Sequence, residues 1–267
     1  MNKLQTAIGD LAEMDQLASR SSPIHDLHPL AKFISTIVYA VVTLSFDKYN
    51  LNGLVPMVLW PILIFQLSGI EIRTCFYKLR FVLPLVMAVG LFNPFFDRSP
   101  LLYIGGLAVS GGVISMITLM LKGIFCLMAS FLLMATTPID KLCGALRMLR
   151  VPSMLVTLLL LTYRYVGVTM DELAVMTEAY HLRAPGQKGI HISAWGSFLG
   201  QLLLRSMDRA QELYSSMLLR GYQHEFHYAH IKPFRLQDAL YMIGSILLFL
   251  LLRYVMITQL LGSLFMR

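Results

Sequence analysis

From Val113 to Thr136 the chain is apolar throughout except for one charge, Lys122, near the middle. A helix of that length can cross the roughly 30 Å hydrocarbon core of a bilayer, whereas in water it would have to be wrapped on every side. The rest of the chain cannot supply that wrapping. Of its 267 residues, 57% are hydrophobic and 14% charged, with a mean hydropathy of +0.66, so too little polar surface remains for a soluble fold. The expected fold class is all-α: a polytopic membrane protein, lying in the lipid bilayer of the cytoplasmic (inner) membrane.

The net charge of +7 falls mostly between and beside the apolar runs. That placement reads as cytoplasmic loops under the positive-inside rule, and no groove-binding element suggests a nucleic-acid partner. Cys75, Cys126 and Cys143 form no CxxC pair, so no disulfide framework is expected. The first residues carry charges and no short apolar core ending in small residues, so no cleavable leader is expected.

Five spans are expected, with the N-terminus inside and the C-terminus outside. The first runs from Ala31 to Phe46, short unless Lys32 and Lys48 snorkel to opposite interfaces. The second, Leu51 to Ile70, carries Pro56 and Pro61 and should be kinked, with neighbours satisfying the freed carbonyls. Glu71, Arg73, Lys78 and Arg80 mark a cytoplasmic turn before a third span from Phe81 to Phe96, and a hairpin around Gly105-Gly106 precedes the fourth, Val113 to Thr136. Lys122 should face the bundle and pair with a carbonyl or hydroxyl. The last span covers Ala239 to Leu261 and contains Arg253. The domains are thus a cytoplasmic segment (residues 1–30), four spans (31–136), a cytoplasmic coupling domain (137–235), and a last span with the C-terminus (236–267).

Within residues 137–235, Pro138 and Pro152 bound a basic amphipathic helix. The run from Ser153 to Gly167 resembles a span but is interrupted by Arg164, and a crossing there would put the basic segment from Arg183 to Arg235 outside. It is read as the apolar start of a long helix at or under the membrane, with Arg164, Asp171 and Glu178 on one face. From Trp195 to Leu219 an apolar stripe (Trp195, Leu199, Leu202, Met207, Ala210, Tyr214, Met217) opposes a polar face that includes Arg205 and Asp208. Gly196 and Gly200, four apart, could admit a close helix neighbour.

Each long helix closes on the same short echo, Leu182-Arg183-Ala184 and Leu219-Arg220-Gly221, followed at once by Pro185-Gly186 in the first and by the glycine itself in the second. A cation in a last helical turn offsets the helix dipole, but two such sites in one basic region point to a paired docking device. Arginine suits it, because its planar fork makes several directed hydrogen bonds in a pocket. In a simple antiparallel hairpin the two arginines would lie at opposite ends and could not easily meet one flat partner face; the expected arrangement is a coupling domain of long crossed helices, which puts both tips on the cytoplasmic side but apart, suited to two similar pockets on a dimeric partner.

Catalytic readings find little support. No Gly-x-x-x-x-Gly-Lys-Ser/Thr loop is present, so energy would have to come from a partner. His224, His227 and His230 could suggest a self-sufficient metal permease or membrane enzyme, but His227 comes one residue too soon for HExxH, and the run reads as a polar loop. Lys122 and Arg253, the intramembrane ionisable groups, offer no nucleophile and base. No catalytic residue, cofactor or metal ligand is expected.

Several stretches resemble the transmembrane coupling subunit, or T component, of energy-coupling-factor (ECF) ABC transporters. They include Thr136-Thr137-Pro138, Leu149-Arg150-Val151-Pro152, Tyr163-Arg164-Tyr165, Glu172, and the two arginine echoes with Asp208 to Tyr214. Asp15-Gln16-Leu17-Ala18, Leu27-His28-Pro29-Leu30-Ala31-Lys32 and Asn93 to Arg98 resemble the cobalt-type branch, the CbiQ family. The resemblance implies a non-catalytic subunit that ties two ATPase subunits, or an ATPase homodimer, to a membrane S component that binds the metal, with a small accessory membrane subunit as a further partner. Nickel or a vitamin are the other substrates such a subunit could serve. Arg183 and Arg220, with Ala184 and Gly221, carry over as the tips entering ATPase grooves, supported by Leu182, Leu219, Arg164, Glu172 and Gly200. The family motif is usually Ala-Arg-Gly; here Leu precedes each arginine, and Ala follows the first.

Overall fold

The computed structural model describes residue 9 and residues 12–93, 100–104, 107–187, 189–223 and 233–254. After a short helical segment at residues 12–18 come α1 (Pro29–Leu44), α2 (Leu51–Ser68), α3 (Ile72–Leu79) and α4 (Leu83–Leu91). A two-stranded hairpin follows, β1 (Pro100–Ile104) and β2 (Leu107–Ser110), and then α5 (Gly111–Thr136), α6 (Ile139–Met148), α7 (Ser153–Arg183), α8 (Ile192–Leu219) and α9 (Leu236–Tyr254). The chain divides into two compact units, one of Leu17–Pro138 with Lys232–Arg267, the other of Met1–Gln16 with Ile139–Ile231.

In the first unit α1 packs against α5 and α9. Its core is an aromatic trio from three helices: Tyr39 stacks on Trp60 with centroids 4.6 Å apart, and Phe249 meets both edge-on at 5.3 and 5.4 Å. Pro61 has no N–H for the Met57 carbonyl one turn earlier, and the buried Tyr39 hydroxyl donates to that carbonyl at 3.0 Å. The proline disturbance expected in the second span is thus absorbed as one tight turn, Val55–Val58, with the freed acceptor satisfied by a neighbour. Close packing of α4 on α5 needs Gly123, where a Cβ would come within 2.4 Å of Val86 Cγ1.

Polar ties close both ends of this bundle. At the start of α1, His28 caps the helix through Nδ1, which accepts from Leu30 N at 3.2 Å, and Pro29 occupies the first turn. Buried Asp238 accepts from the backbone N–H of His28 at 2.7 Å and of Arg235 at 2.8 Å, joining the entries of α1 and α9. Lys32 Nζ donates to the Thr136 carbonyl at 2.8 Å, in the last turn of α5. At the far end of α1, Lys122 donates to the carbonyls of Leu44 and Phe46, and Arg253 reaches those of Val42 and Ser45 at 3.5 and 3.3 Å. Lys122 and Arg253 therefore cap the C-terminus of α1, and of the carbonyl or hydroxyl expected for Lys122 the partner is a carbonyl.

Four described helices are long and apolar enough to cross a membrane, or five when the pair α3 and α4, bent by 68°, counts as one broken span. Two details differ from the sequence reading. Residues Glu71 to Arg80 are not a turn: Ile72–Leu79 is helical, with Cys75 buried and charges interleaved, so it reads as polar by composition while packing by periodicity. The first apolar run gives only a 16-residue helix, while α7, read as an interfacial helix, is long and apolar enough to cross a membrane. Its apolar residues cluster at its start, where Met154 and Leu158 are exposed in the chain alone. The hairpin forms as expected, with Ile104 opposite Leu107; Gly105 and Gly106 lie outside the described residues.

Candidate functional site

The second unit is built on α6, α7 and α8. Helix α6 is the basic helix expected between the two prolines, and it turns into α7 through Arg150, held at φ 62°, with Val151 N bonded back to Leu146 O at 3.2 Å. Tyr163 on α7 donates to Asp15 Oδ1 at 2.5 Å, bringing together two of the stretches that carried the family resemblance. Arg164, Asp171 and Glu178 share an exposed face. The connection to α8 is pinned by Tyr180, whose hydroxyl donates to Gln187 Oε1 at 2.9 Å and accepts from His191 N at 3.3 Å; His191 in turn caps α8.

The two long helices run antiparallel. Tyr180 meets His191, Glu172 meets the middle of α8, and Ser153 shares a groove with Met217 and Tyr222. The middle contact is a charged node: Glu172 Oε1 lies 3.3 Å from Arg205 Nη1 and Oε2 lies 3.6 Å from Arg209 Nη2. Exposed ion pairs of this kind contribute at most about 1 kcal/mol, so the node sets register more than it stabilises. Arg205, assigned from sequence to the outer polar face, in fact faces α7. The periodicity of an isolated helix fixes which residues share a face, not which neighbour that face meets; the available signal was the one-turn spacing of Arg205 and Arg209 together with a carboxylate on the preceding helix.

Both echo arginines are exposed at helix ends, and each follows a leucine that is almost bare: Leu182 at 79% and Leu219 at 90% exposure. The contacts put Arg183 and Arg220 at opposite ends of the pair, the placement that the sequence reading assigns to a hairpin and sets against a crossed pair. Arg183 follows Glu172 by eleven residues and Arg220 follows Arg209 by eleven. Eleven residues are close to three turns and about 16 Å of rise, so each cation returns to the face of its helix that holds the node, displaced in opposite senses.

The two ends differ in backbone. Helix α8 closes with Gly221 at φ 81°, with Tyr222 N donating to Met217 O at 3.0 Å, a closure that favours glycine. Ala184 sits at φ −126°, open to any residue, and the left-handed position falls two residues later at Gly186, φ 94°. This accounts for the alanine in the first echo. Gly196 and Gly200 mark no close approach, since nothing lies within 4 Å of a Cβ built at either. The apolar stripe near the start of α8 is likewise uncovered: Trp195 and Leu199 are 43% and 50% exposed. His224, His227 and His230 lie outside the described residues; among the described residues no three His, Cys, Asp or Glu side chains could hold a metal ion.

A multi-pass helical membrane protein carrying a pair of long, arginine-ended helices is the class this architecture defines. The chain belongs to the CbiQ family: the model of that family, described as cobalt transport protein, matches residues 20–229. Its relatives include the cobalt transport protein CbiQ of Rhodobacter capsulatus, 35% identical over 104 residues that make up 38% of this chain and 42% of that one. An uncharacterized protein of Methanocaldococcus jannaschii is 26% identical over 144 residues, 53% of this chain and 49% of that protein. The chain thus spans under half the length of the curated relatives it matches.

Proposed function

We propose that the chain is the transmembrane coupling subunit of an ECF-type ABC importer, passing ATP-driven motion from two cytoplasmic ATPases to a substrate-binding S component, with cobalt as the cargo. The observation that carries this reading is the pair of exposed Leu-Arg tips, each about three turns from a shared charged node and pointing in opposite senses along antiparallel helices. Opposite ends do not let both tips meet one flat face, but they hold two like tips apart, as two separate, equivalent pockets on a dimeric motor require. An exposed leucine beside each guanidinium supplies apolar area, and the arginine supplies direction.

On this reading closure of the ATPases moves the two tips, and the uncovered apolar stripe of α8 at Trp195 and Leu199 carries the shift to the S component. The chain itself performs no chemistry. Membership in a cobalt transport family supports the cargo, and the charge bias supports a cytoplasmic position for both tips.

Co-expression with a candidate ATPase pair tests the reading. The full chain should capture both ATPases, and Arg183→Glu with Arg220→Glu should abolish capture while the chain still inserts and purifies. Capture that survives both reversals, or cobalt held by the purified chain alone, would overturn it.

A further inference from the structure

Helix α6 closes on a third Leu-Arg end. Leu149 is 43% exposed and Arg150 is exposed beside it, as at the ends of α7 and α8. The backbone closure also repeats that of α8, residue for residue. In α8 the left-handed position is Gly221 at φ 81°, with Gly221 N donating to Leu218 O at 2.9 Å and Tyr222 N to Met217 O at 3.0 Å. In α6 that position is Arg150 at φ 62°, with Arg150 N donating to Arg147 O at 3.0 Å and Val151 N to Leu146 O at 3.2 Å. Glycine is the residue such a position favours, because an L side chain there crowds the following carbonyl. Among the described residues Arg150 alone carries a side chain at positive φ. Its guanidinium has no hydrogen bond or ion pair among them, so nothing there offsets the strain.

Arg150 also stands at the Arg220 end of the α7 and α8 pair. Three residues, at most about 11 Å of chain, separate it from Ser153, and Ser153 lines the groove together with Met217 and Tyr222, which bracket Arg220. Arg183 lies at the other end. We propose that Arg150 is a second cationic contact for the ATPase subunit that receives Arg220, and that its guanidinium meets a carboxylate of that subunit. The inference rests on the coupling reading and adds a residue to it. A strained, unpartnered cation and a repeated Leu-Arg closure converge on one end of the unit. The backbone aims the guanidinium, whose planar fork takes a carboxylate in bidentate fashion, while Leu149 supplies apolar area as Leu219 does for its neighbour. A lipid phosphate would satisfy the guanidinium alone; the exposed leucine and the shared end with Arg220 favour a protein surface.

The test measures the Kd of the full chain for the purified ATPase pair, in neutral detergent and in phosphatidylglycerol nanodiscs, alongside the Tm of the chain. Arg150→Gly relieves the backbone, so Tm should hold or rise while Kd weakens roughly tenfold in both media, as for the loss of one charge-assisted pair. Arg150→Lys, which keeps the charge and the strain, should recover part of that affinity. An unchanged Kd in Arg150→Gly would overturn the inference, and so would a lowered Tm, since no strain would then have been relieved. A loss confined to phosphatidylglycerol nanodiscs would assign the arginine to lipid headgroups and overturn it as well. Arg220→Glu, measured in parallel, separates the two levels: if it weakens capture and Arg150→Gly does not, the inference fails alone, whereas capture indifferent to Arg183→Glu with Arg220→Glu sinks the coupling reading itself.

Discussion

Gly221 and Ala184 follow equivalent arginines yet stand in different regions of backbone space, φ 81° and φ −126°. Gly221→Ala meets no steric obstacle, since nothing lies within 4 Å of the added Cβ, so its cost is conformational: about 1 kcal/mol of helix-end stability. Ala184→Gly should shift stability by less than about half of that, and in the opposite sense to any motif-repair argument, because it only loosens the unfolded chain. Thermal unfolding of the two single variants in detergent distinguishes them. A second residue-scale effect lies at His25, buried and bonded to Ser22 Oγ at 2.7 Å and the Leu17 carbonyl at 3.1 Å. Burial, aided by Lys32 and Arg20, holds its pKa below the ordinary 6.5, although the bond to Leu17 opposes this. The unfolded chain therefore takes up a proton first as pH falls. Stability should be fully present above about pH 6.5 and be lost progressively below it. His25→Gln should flatten the Tm-against-pH profile between pH 7.5 and 5.5, roughly the interval over which an imidazole titrates.

Among the elements, the entries of α1 and α9 are tied by one carboxylate, Asp238. Asp238→Ala would strand two backbone donors, His28 N and Arg235 N, at a cost of about 3 kcal/mol, whereas Asp238→Asn keeps one acceptor and should cost about half as much. Chemical denaturation of the purified chain reads both. The sequence disclosed the long elements well: α5, α7 and α8 follow from apolar runs and from Gly or Pro stops, and the hairpin from its paired glycines. It disclosed α3 poorly, because four charges among residues 71–80 look like a loop until Cys75 is seen to be buried among them. Tyr39 as the partner of the Met57 carbonyl was equally hidden, since a freed acceptor shows in sequence but its donor, from another helix, does not.

For the molecule as a whole, the two exposed tips could be read from the sequence, but the charged node midway between them could not. Charge pattern alone put Arg205 on the open face, and only the antiparallel course of α7 and α8 turns it toward Glu172. The coupling reading ties these levels together through one dimension, the eleven-residue arm on each helix. Lengthening either arm by one residue would swing its guanidinium by about 100° and advance it by about 1.5 Å. Arm length is therefore quantised. A viable insertion between hub and fingertip must come in near-whole turns, and both hands must keep the same time if they are to strike a symmetric motor together.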